Sequence, residues 1–165
     1  MNTLMVKSLK VVGSCALLLG LSLPAHAETQ VKDAWVRATV AGQPATGAFM
    51  QLTASSDSTL VGVASPAAKT VEIHEMSMKG EVMSMKPVSS VELPAGKTVT
   101  FSAEGYHVML IGLVAQAKEG DQIPLTLTVQ DAKGERQSVE VQAQVRALNT
   151  SDHDAHAGHG AHSGH

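Results

Sequence analysis

Cysteine is nearly absent from this chain: Cys15 is the only one in 165 residues, and it lies in an apolar N-terminal stretch. If that stretch is removed, the protein can form no internal disulfide. It also cannot be a blue-copper electron carrier, because those sites need a cysteine thiolate. The scarcity of cysteine therefore excludes a disulfide scaffold and one class of redox protein.

Aromatic residues and basic charge are scarce as well. The four aromatic residues are Trp35, Phe49, Phe101 and Tyr106. A core must therefore consist mainly of Val, Leu, Ile, Ala and Met, with Trp35, Phe49 and Met50 expected to pack in it. A chain of this length is expected to form one domain and can bury such a core. The formal net charge is −3 with no basic block beyond the N-terminus, which argues against nucleic acid as a partner.

Residues 1–27 predict a secretory signal peptide. Its positive start, apolar run and small cleavage-site residues are Lys7 and Lys10, residues 11–23, and Ala25 and Ala27. The apolar run is too short to span a bilayer comfortably, so we expect no stable membrane insertion. A lipid anchor on Cys15 is disfavoured because almost no apolar run precedes it. Cleavage after Ala27 removes two lysines and no acid, changes the net charge from −3 to −5, and predicts a periplasmic protein.

Residues 31–145 consist of short β-like runs separated by Gly, Pro, Asp and Ser. Nine strands are predicted, at 31–39, 47–53, 59–65, 70–76, 82–87, 98–101, 107–113, 125–130 and 137–145. The last one alternates cleanly, with Val139, Val141, Ala143 and Val145 directed inward. No amphipathic helix or internal repeat competes with this pattern, which favours an antiparallel β-sandwich.

Methionine is concentrated in one part of the chain. Five of the eight methionines lie between positions 74 and 109, at Met76, Met78, Met83, Met85 and Met109. A β-hairpin turning at Lys79-Gly80 pairs His74 with Met85, since glycine tolerates positive φ. Alternation along the two strands then places His74, Met76, Met83 and Met85 on one face. Core packing remains an equally good interpretation of the hairpin methionines taken alone.

A second histidine–methionine pair, His107 and Met109, lies two residues apart and therefore on one face of another strand. If that strand lies beside the hairpin, two imidazoles and at least two thioethers converge. Thioether sulfur is soft and neutral, and with imidazole it suits Cu(I), or Ag(I) as a chemical look-alike. Zinc sites mostly use thiolate, imidazole and carboxylate, so this donor set argues against zinc.

At these residues the chain resembles the periplasmic copper chaperones called PCuAC proteins. Their pattern is a histidine, ten residues, a methionine, twenty-one residues, and then His-x-Met. His74, Met85, His107 and Met109 match that spacing. The resemblance extends to residues 34–39 and 47–50, and it covers roughly residues 31–145.

The resemblance implies a cupredoxin-like Greek-key β-sandwich that binds Cu(I) through His74, Met85, His107 and Met109. It also implies the acceptor of the copper, which is the dinuclear copper centre of cytochrome c oxidase subunit II. A thioredoxin-fold copper-transfer protein is implied as a further partner. Composition and spacing by themselves indicate neither partner.

The composition changes after Leu148 to Ala, Gly, Ser, Asp and His. Histidine then recurs at every third position, at His153, His156, His159, His162 and His165. Such a segment has too little apolar surface to fold alone, so residues 149–165 are expected to form a flexible tail behind a domain at 28–148. Clustered imidazoles bind Cu(II), Zn(II) or Ni(II) with little discrimination. The tail therefore predicts a second, looser metal site that captures Cu(II).

Three functions fit these features. The first is a periplasmic Cu(I) chaperone without enzymatic activity. The second is a copper- or silver-buffering protein for metal tolerance, with the tail as a reservoir. The third is a copper mono-oxygenase, which needs an N-terminal histidine; cleavage after Ala25 would expose His26, but Leu23 then stands where a small residue is preferred. No other catalytic arrangement is evident.

Overall fold

The computed structural model describes residues 28–149, and these residues form ten β-strands and no helix. The strands are β1 (Thr29–Arg37), β2 (Ala45–Ala54), β3 (Ser58–Ala64), β4 (Ala68–Lys79), β5 (Val82–Val88), β6 (Val91–Leu93), β7 (Thr98–Phe101), β8 (Tyr106–Leu113), β9 (Gln122–Asp131) and β10 (Arg136–Arg146). Within this part of the chain there is accordingly no helix that could cross a membrane. The predicted signal peptide and histidine-rich tail lie outside the described residues.

The strands form one hydrogen-bonded sheet in the order β5-β4-β8-β7-β2-β1-β10-β9-β3-β6, which folds over a single apolar core as a cupredoxin-like sandwich. One residue in two along the central strands points into that core. Its fully buried side chains include Met50, Leu52, Leu60, Phe101, Leu110 and Leu127. Because β5 lies at the edge of the sheet, only β4 pairs with it.

The all-β sandwich predicted from the sequence is confirmed, and each of the nine predicted strands is present. Val139, Val141, Ala143 and Val145 alternate inward as expected. Two details differ: the sheet is mixed, because β1 pairs with β10 and β7 with β8 in parallel, and β6 was not predicted. A three-residue strand followed by Pro94 is too short to show a period in the sequence.

Trp35 and Phe49 are buried as predicted, but outside the core of the sandwich. Their neighbours in sequence occupy the core, and the two rings lie on the other face with their centroids 4.5 Å apart. Arg37 covers both rings, at 5.2 Å from the centroid of Phe49, and Arg146 covers Trp35 at 5.3 Å. Arg146 also forms an ion pair with Asp33. The long arginine side chains thus bury these aromatic rings on a face that would otherwise be solvated.

Tyr106, the only tyrosine, gives a test of the packing beside β4. Burial raises the pKa of its phenol above the ordinary value of 10.0, and the carboxylate of Glu75, its partner on β4, raises it further. We expect Glu75→Gln to move that pKa toward 10.0 without reaching it, since burial is the larger cause. Phenolate absorbance during an alkaline titration measures this directly.

The same shift makes stability depend on pH. A raised pKa means that the folded protein keeps the phenol neutral while the unfolded chain ionises. The contribution of Tyr106 to the free energy of unfolding is therefore fully present below pH 10.0 and is lost as the pH rises through the raised value. A pKa at or below 10.0 in the native protein would contradict the packing described here.

Candidate metal centre

The methionine-rich hairpin is formed by β4 and β5, with Gly80 and Glu81 as its turn. Gly80 has a φ of 64°, and glycine at the first central position suits a type II′ turn. The register differs from the prediction by two residues: Met76 lies opposite Met85, and His74 lies opposite Pro87. The predicted pairing of His74 with Met85 is therefore wrong. Since side chains alternate with period two, the shift leaves all the predicted residues on the same face.

The strand that carries the second histidine–methionine pair lies beside the hairpin. β8 pairs with β4, with His107 directly opposite His74 and Met109 opposite Glu72. The two imidazole rings have centroids 5.9 Å apart and planes at 61°. Two imidazoles from strands distant in sequence thus meet on the hairpin face.

His107 contacts the hairpin across β4. Its Nε2 lies 3.2 Å from Sδ of Met85, which projects from β5. Its Nδ1 lies 3.3 Å from the carbonyl oxygen of Gly105. A carbonyl oxygen and a thioether sulfur both only accept hydrogen bonds, so either ring nitrogen has a partner for its proton. In the tautomer with the proton on Nδ1, the lone pair of Nε2 is next to Sδ of Met85. Metal bonds of about 2.0 Å to nitrogen and 2.3 Å to sulfur at a tetrahedral angle put these atoms about 3.5 Å apart. The observed pair is thus close to the spacing of two ligands on one ion.

His74 is oriented by a residue that sequence reasoning missed. Its Nε2 lies 2.8 Å from Oε2 of Glu72, two residues earlier on the same strand and therefore on the same face. The carboxylate accepts, so Nε2 carries the proton and Nδ1 has the lone pair. Nδ1 is buried and has no hydrogen-bond partner among residues 28–149. A buried lone pair without a partner is costly in an apo protein and is what a metal ligand requires. The spacing of Glu72 and His74, two residues apart on one strand, is the sequence feature that could have predicted this contact.

Met109 lies on the same face of β8 as His107, because side chains alternate along a strand. It is half-buried, lies two residues beyond His107, and faces Gly47 on β2. The ring of Phe49 lies over Gly47, where a β-carbon would come within 2.9 Å of Cζ. Because residue 47 is glycine, the ring of Phe49 can lie against β2 at the position paired with Met109.

The histidines and Met85 differ sharply in exposure. His74 and His107 are 8% and 5% exposed, whereas Met85 is 50% exposed. The carboxylate of Glu72 is in contact with the imidazole of His74. The cluster is closed beneath the imidazoles and open at the sheet edge, so an ion held there is accessible from the side of Met85.

The donor atoms favour a soft ion. Among residues 28–149, no three His, Cys, Asp or Glu side chains are grouped so as to hold a metal. The donors that lie together are the imidazoles of His74 and His107 and the thioether of Met85, and thioether with imidazole suits Cu(I). The residues present fit a monovalent copper ion. The five tail histidines, predicted as a Cu(II) site, lie outside the described residues.

Comparison with known proteins assigns the chain to a family. Residues 29–145 match the model of the family described as "Putative lipoprotein LpqE-like". A protein of Leifsonia xyli subsp. xyli (strain CTCB07), named "Putative lipoprotein Lxx21020", is 34% identical over an alignment of 137 residues; the match covers 74% of this chain and 82% of that protein.

Solved structures of PCuAC domains share the fold. The copper-bound PCuAC domain from PmoF2 is 23% identical, with a TM-score of 0.58 over 74% of this chain and 98% of its own. The Cu(I) form of DR1885 from Deinococcus radiodurans is 32% identical, with a TM-score of 0.55 over 74% of this chain and 81% of its own. The resemblance to PCuAC proteins is therefore confirmed for the family: the chain belongs to the LpqE-like family, which is of the PCuAC type.

Proposed function

We propose that this protein is a Cu(I) chaperone that holds one ion between His74, Met85, His107 and Met109 and releases it by ligand exchange. The observation that carries the proposal is the contact between Nε2 of His107 and Sδ of Met85. It is supported by Nδ1 of His74, which is buried and has no hydrogen-bond partner within residues 28–149. Imidazole and thioether ligands need no deprotonation of a thiol, and thioethers form no disulfides in an oxidising compartment.

The relatives support copper as the cargo. The PmoF2 domain is described as copper-bound, and DR1885 was solved with Cu(I). DR1885 is the more informative of the two, because its identity to this chain is 32%. A cargo role is also favoured over a resident cofactor by the exposure of Met85, since an acceptor can reach the ion from that side.

An extracytoplasmic location is supported by the lipoprotein names of the matched family and of the Leifsonia protein. We infer that residues 1–27 direct export to the periplasm. Cleavage after Ala27 leaves Glu28 first, whereas lipidation would keep Cys15 as the first residue. The mass of the processed chain distinguishes the two, and a chain beginning at His26 would instead support the mono-oxygenase function.

The acceptor that we propose is the dinuclear copper centre of cytochrome c oxidase subunit II, with a thioredoxin-fold protein in the transfer. The five tail histidines supply a looser Cu(II) site, and they also favour metal buffering as a second function. A deletion strain separates these roles. Loss of oxidase assembly at low copper indicates delivery, and sensitivity to high copper with normal oxidase indicates buffering.

The ligand set is tested by X-ray absorption on the Cu(I)-loaded protein. The full processed chain should be used, with its five tail histidines replaced by glutamine so that the tail contributes no imidazole. We expect monovalent copper with sulfur and nitrogen ligands in equal numbers, as two thioethers and two imidazoles require. A copper environment with nitrogen and oxygen but no sulfur would overturn the assignment.

A further inference from the structure

We propose that Met78 and Met83, next to the tip of the β4–β5 hairpin, form a second and weaker Cu(I) site through which copper enters and leaves the main one. This inference rests on the proposed function. It concerns two methionines that lie outside the four-residue pattern.

The register of the hairpin stacks the thioethers in two cross-strand pairs. Met76 lies opposite Met85, and Met78 lies opposite Met83. Residues directly opposite have β-carbons about 5 Å apart, and the two pairs, two residues apart, are separated by about 7 Å along the strands. Both pairs project from the face that carries His74 and His107. The four sulfurs therefore form a short ladder from the hairpin tip to the imidazoles.

Core packing does not explain why methionine occupies positions 78 and 83, the outer pair of the ladder. Met78 is 66% exposed and Met83 is 57% exposed, and neither belongs to the hydrophobic core. Six of the seven residues of β5 are exposed, Met83 among them, so the strand has no buried face that a methionine could fill. Large apolar side chains left in water at a sheet edge are a liability for aggregation. A role that requires sulfur explains their presence, whereas a solubilising role would be met by charged residues.

The number of donor atoms predicts which of the two sites binds Cu(I) more tightly. Two thioethers at an exposed position provide fewer donors than the four-residue site, so the outer pair holds Cu(I) more weakly. Methionine has three rotatable bonds, which lets each sulfur follow an ion over part of the distance between the pairs. Since His74 and His107 are buried, an acceptor protein approaches the ion from the side of Met85, where Met78 and Met83 extend the exposed thioethers toward the hairpin tip. The outer pair is where that exchange takes place.

The test uses the full processed chain with the tail histidines replaced by glutamine and with methionine methyl groups labelled with carbon-13. Ag(I) and Cu(I) are titrated in turn. We expect the first equivalent to shift the methyl signals of Met85 and Met109, and the second to shift those of Met78 and Met83. The double variant Met78→Leu/Met83→Leu keeps the apolar surface but should lose the second event and load the main site more slowly. Met50→Leu, a substitution in the buried core, is the matched control. It should change neither the second binding event nor the rate at which the main site is loaded.

The outcomes separate this inference from the proposed function. If the first equivalent shifts no methionine of the four-residue site, the proposed function fails. If the first equivalent shifts the methyl signals of Met85 and Met109 while a second equivalent leaves those of Met78 and Met83 unchanged, only the outer site is refuted. The inference is also refuted if the double variant accepts copper at the rate of the Met50→Leu control.

Discussion

His107→Ala is expected to abolish tight Cu(I) binding, with an affinity loss of more than about 100-fold, because residues that only support a ligand already cost about 10–100-fold. The imidazole of His107 lies at the centre of the site, with Nε2 3.2 Å from Sδ of Met85 and its ring facing that of His74. Its removal leaves one imidazole and breaks the link across β4. Competition with a Cu(I)-specific chelator, on the chain with the substituted tail, measures the loss.

A loss of folding would mimic a loss of binding, so the variant needs two companions. Thermal unfolding of the apo protein shows whether His107→Ala retains the sandwich. Met85→Leu replaces the thioether with an apolar side chain of similar size at an exposed position, so it should weaken binding without destabilising the fold. Met50→Leu should leave the affinity unchanged. An unaltered affinity in both His107→Ala and Met85→Leu would exclude the proposed site.

The face of the site was predictable from the sequence, but the contacts within it were not. A two-residue error in register leaves every side chain on its own side of a sheet, so His74, Met76, Met83 and Met85 share a face under either pairing. The partner of a given residue depends on the turn, and here Gly80 takes the first turn position where Lys79 was expected. The residues of the turn thus determine which residues lie opposite each other in the hairpin, but not which face of the sheet each side chain occupies.

Features that depend on distant strands were the ones missed. No local pattern shows that β1 pairs with β10 in parallel, since the two segments are about a hundred residues apart. Likewise, Trp35 and Phe49 were predicted to be buried because they are large and apolar. That they are covered by Arg37 and Arg146 rather than by the sandwich core follows from the neighbouring strands, not from their own sequence.

Glu72→Ala is expected to weaken Cu(I) binding by about 10–100-fold without removing a ligand. In the native protein the carboxylate accepts from Nε2 of His74 at 2.8 Å and so keeps the lone pair on Nδ1, the buried atom without a hydrogen-bond partner in the described chain. Without Glu72, the proton can move to Nδ1 and the ring can turn, so part of the population presents the wrong nitrogen. Nitrogen-15 spectra of the histidines in the apo protein report this change of tautomer independently of copper.

Two further variants decide whether Glu72 acts through its hydrogen bond or through its charge. Glu72→Gln removes the charge but keeps an oxygen that can accept from Nε2, so it should preserve the tautomer of His74 and most of the affinity. Glu75→Ala makes the same change in net charge on the same strand, but Glu75 pairs with Lys86 and points to the other face. If Glu75→Ala weakens binding as much as Glu72→Ala does, the effect is one of general electrostatics. A positioning role requires that only Glu72→Ala alters both the tautomer and the affinity, because within residues 28–149 the carboxylate in contact with the imidazole of His74 is that of Glu72.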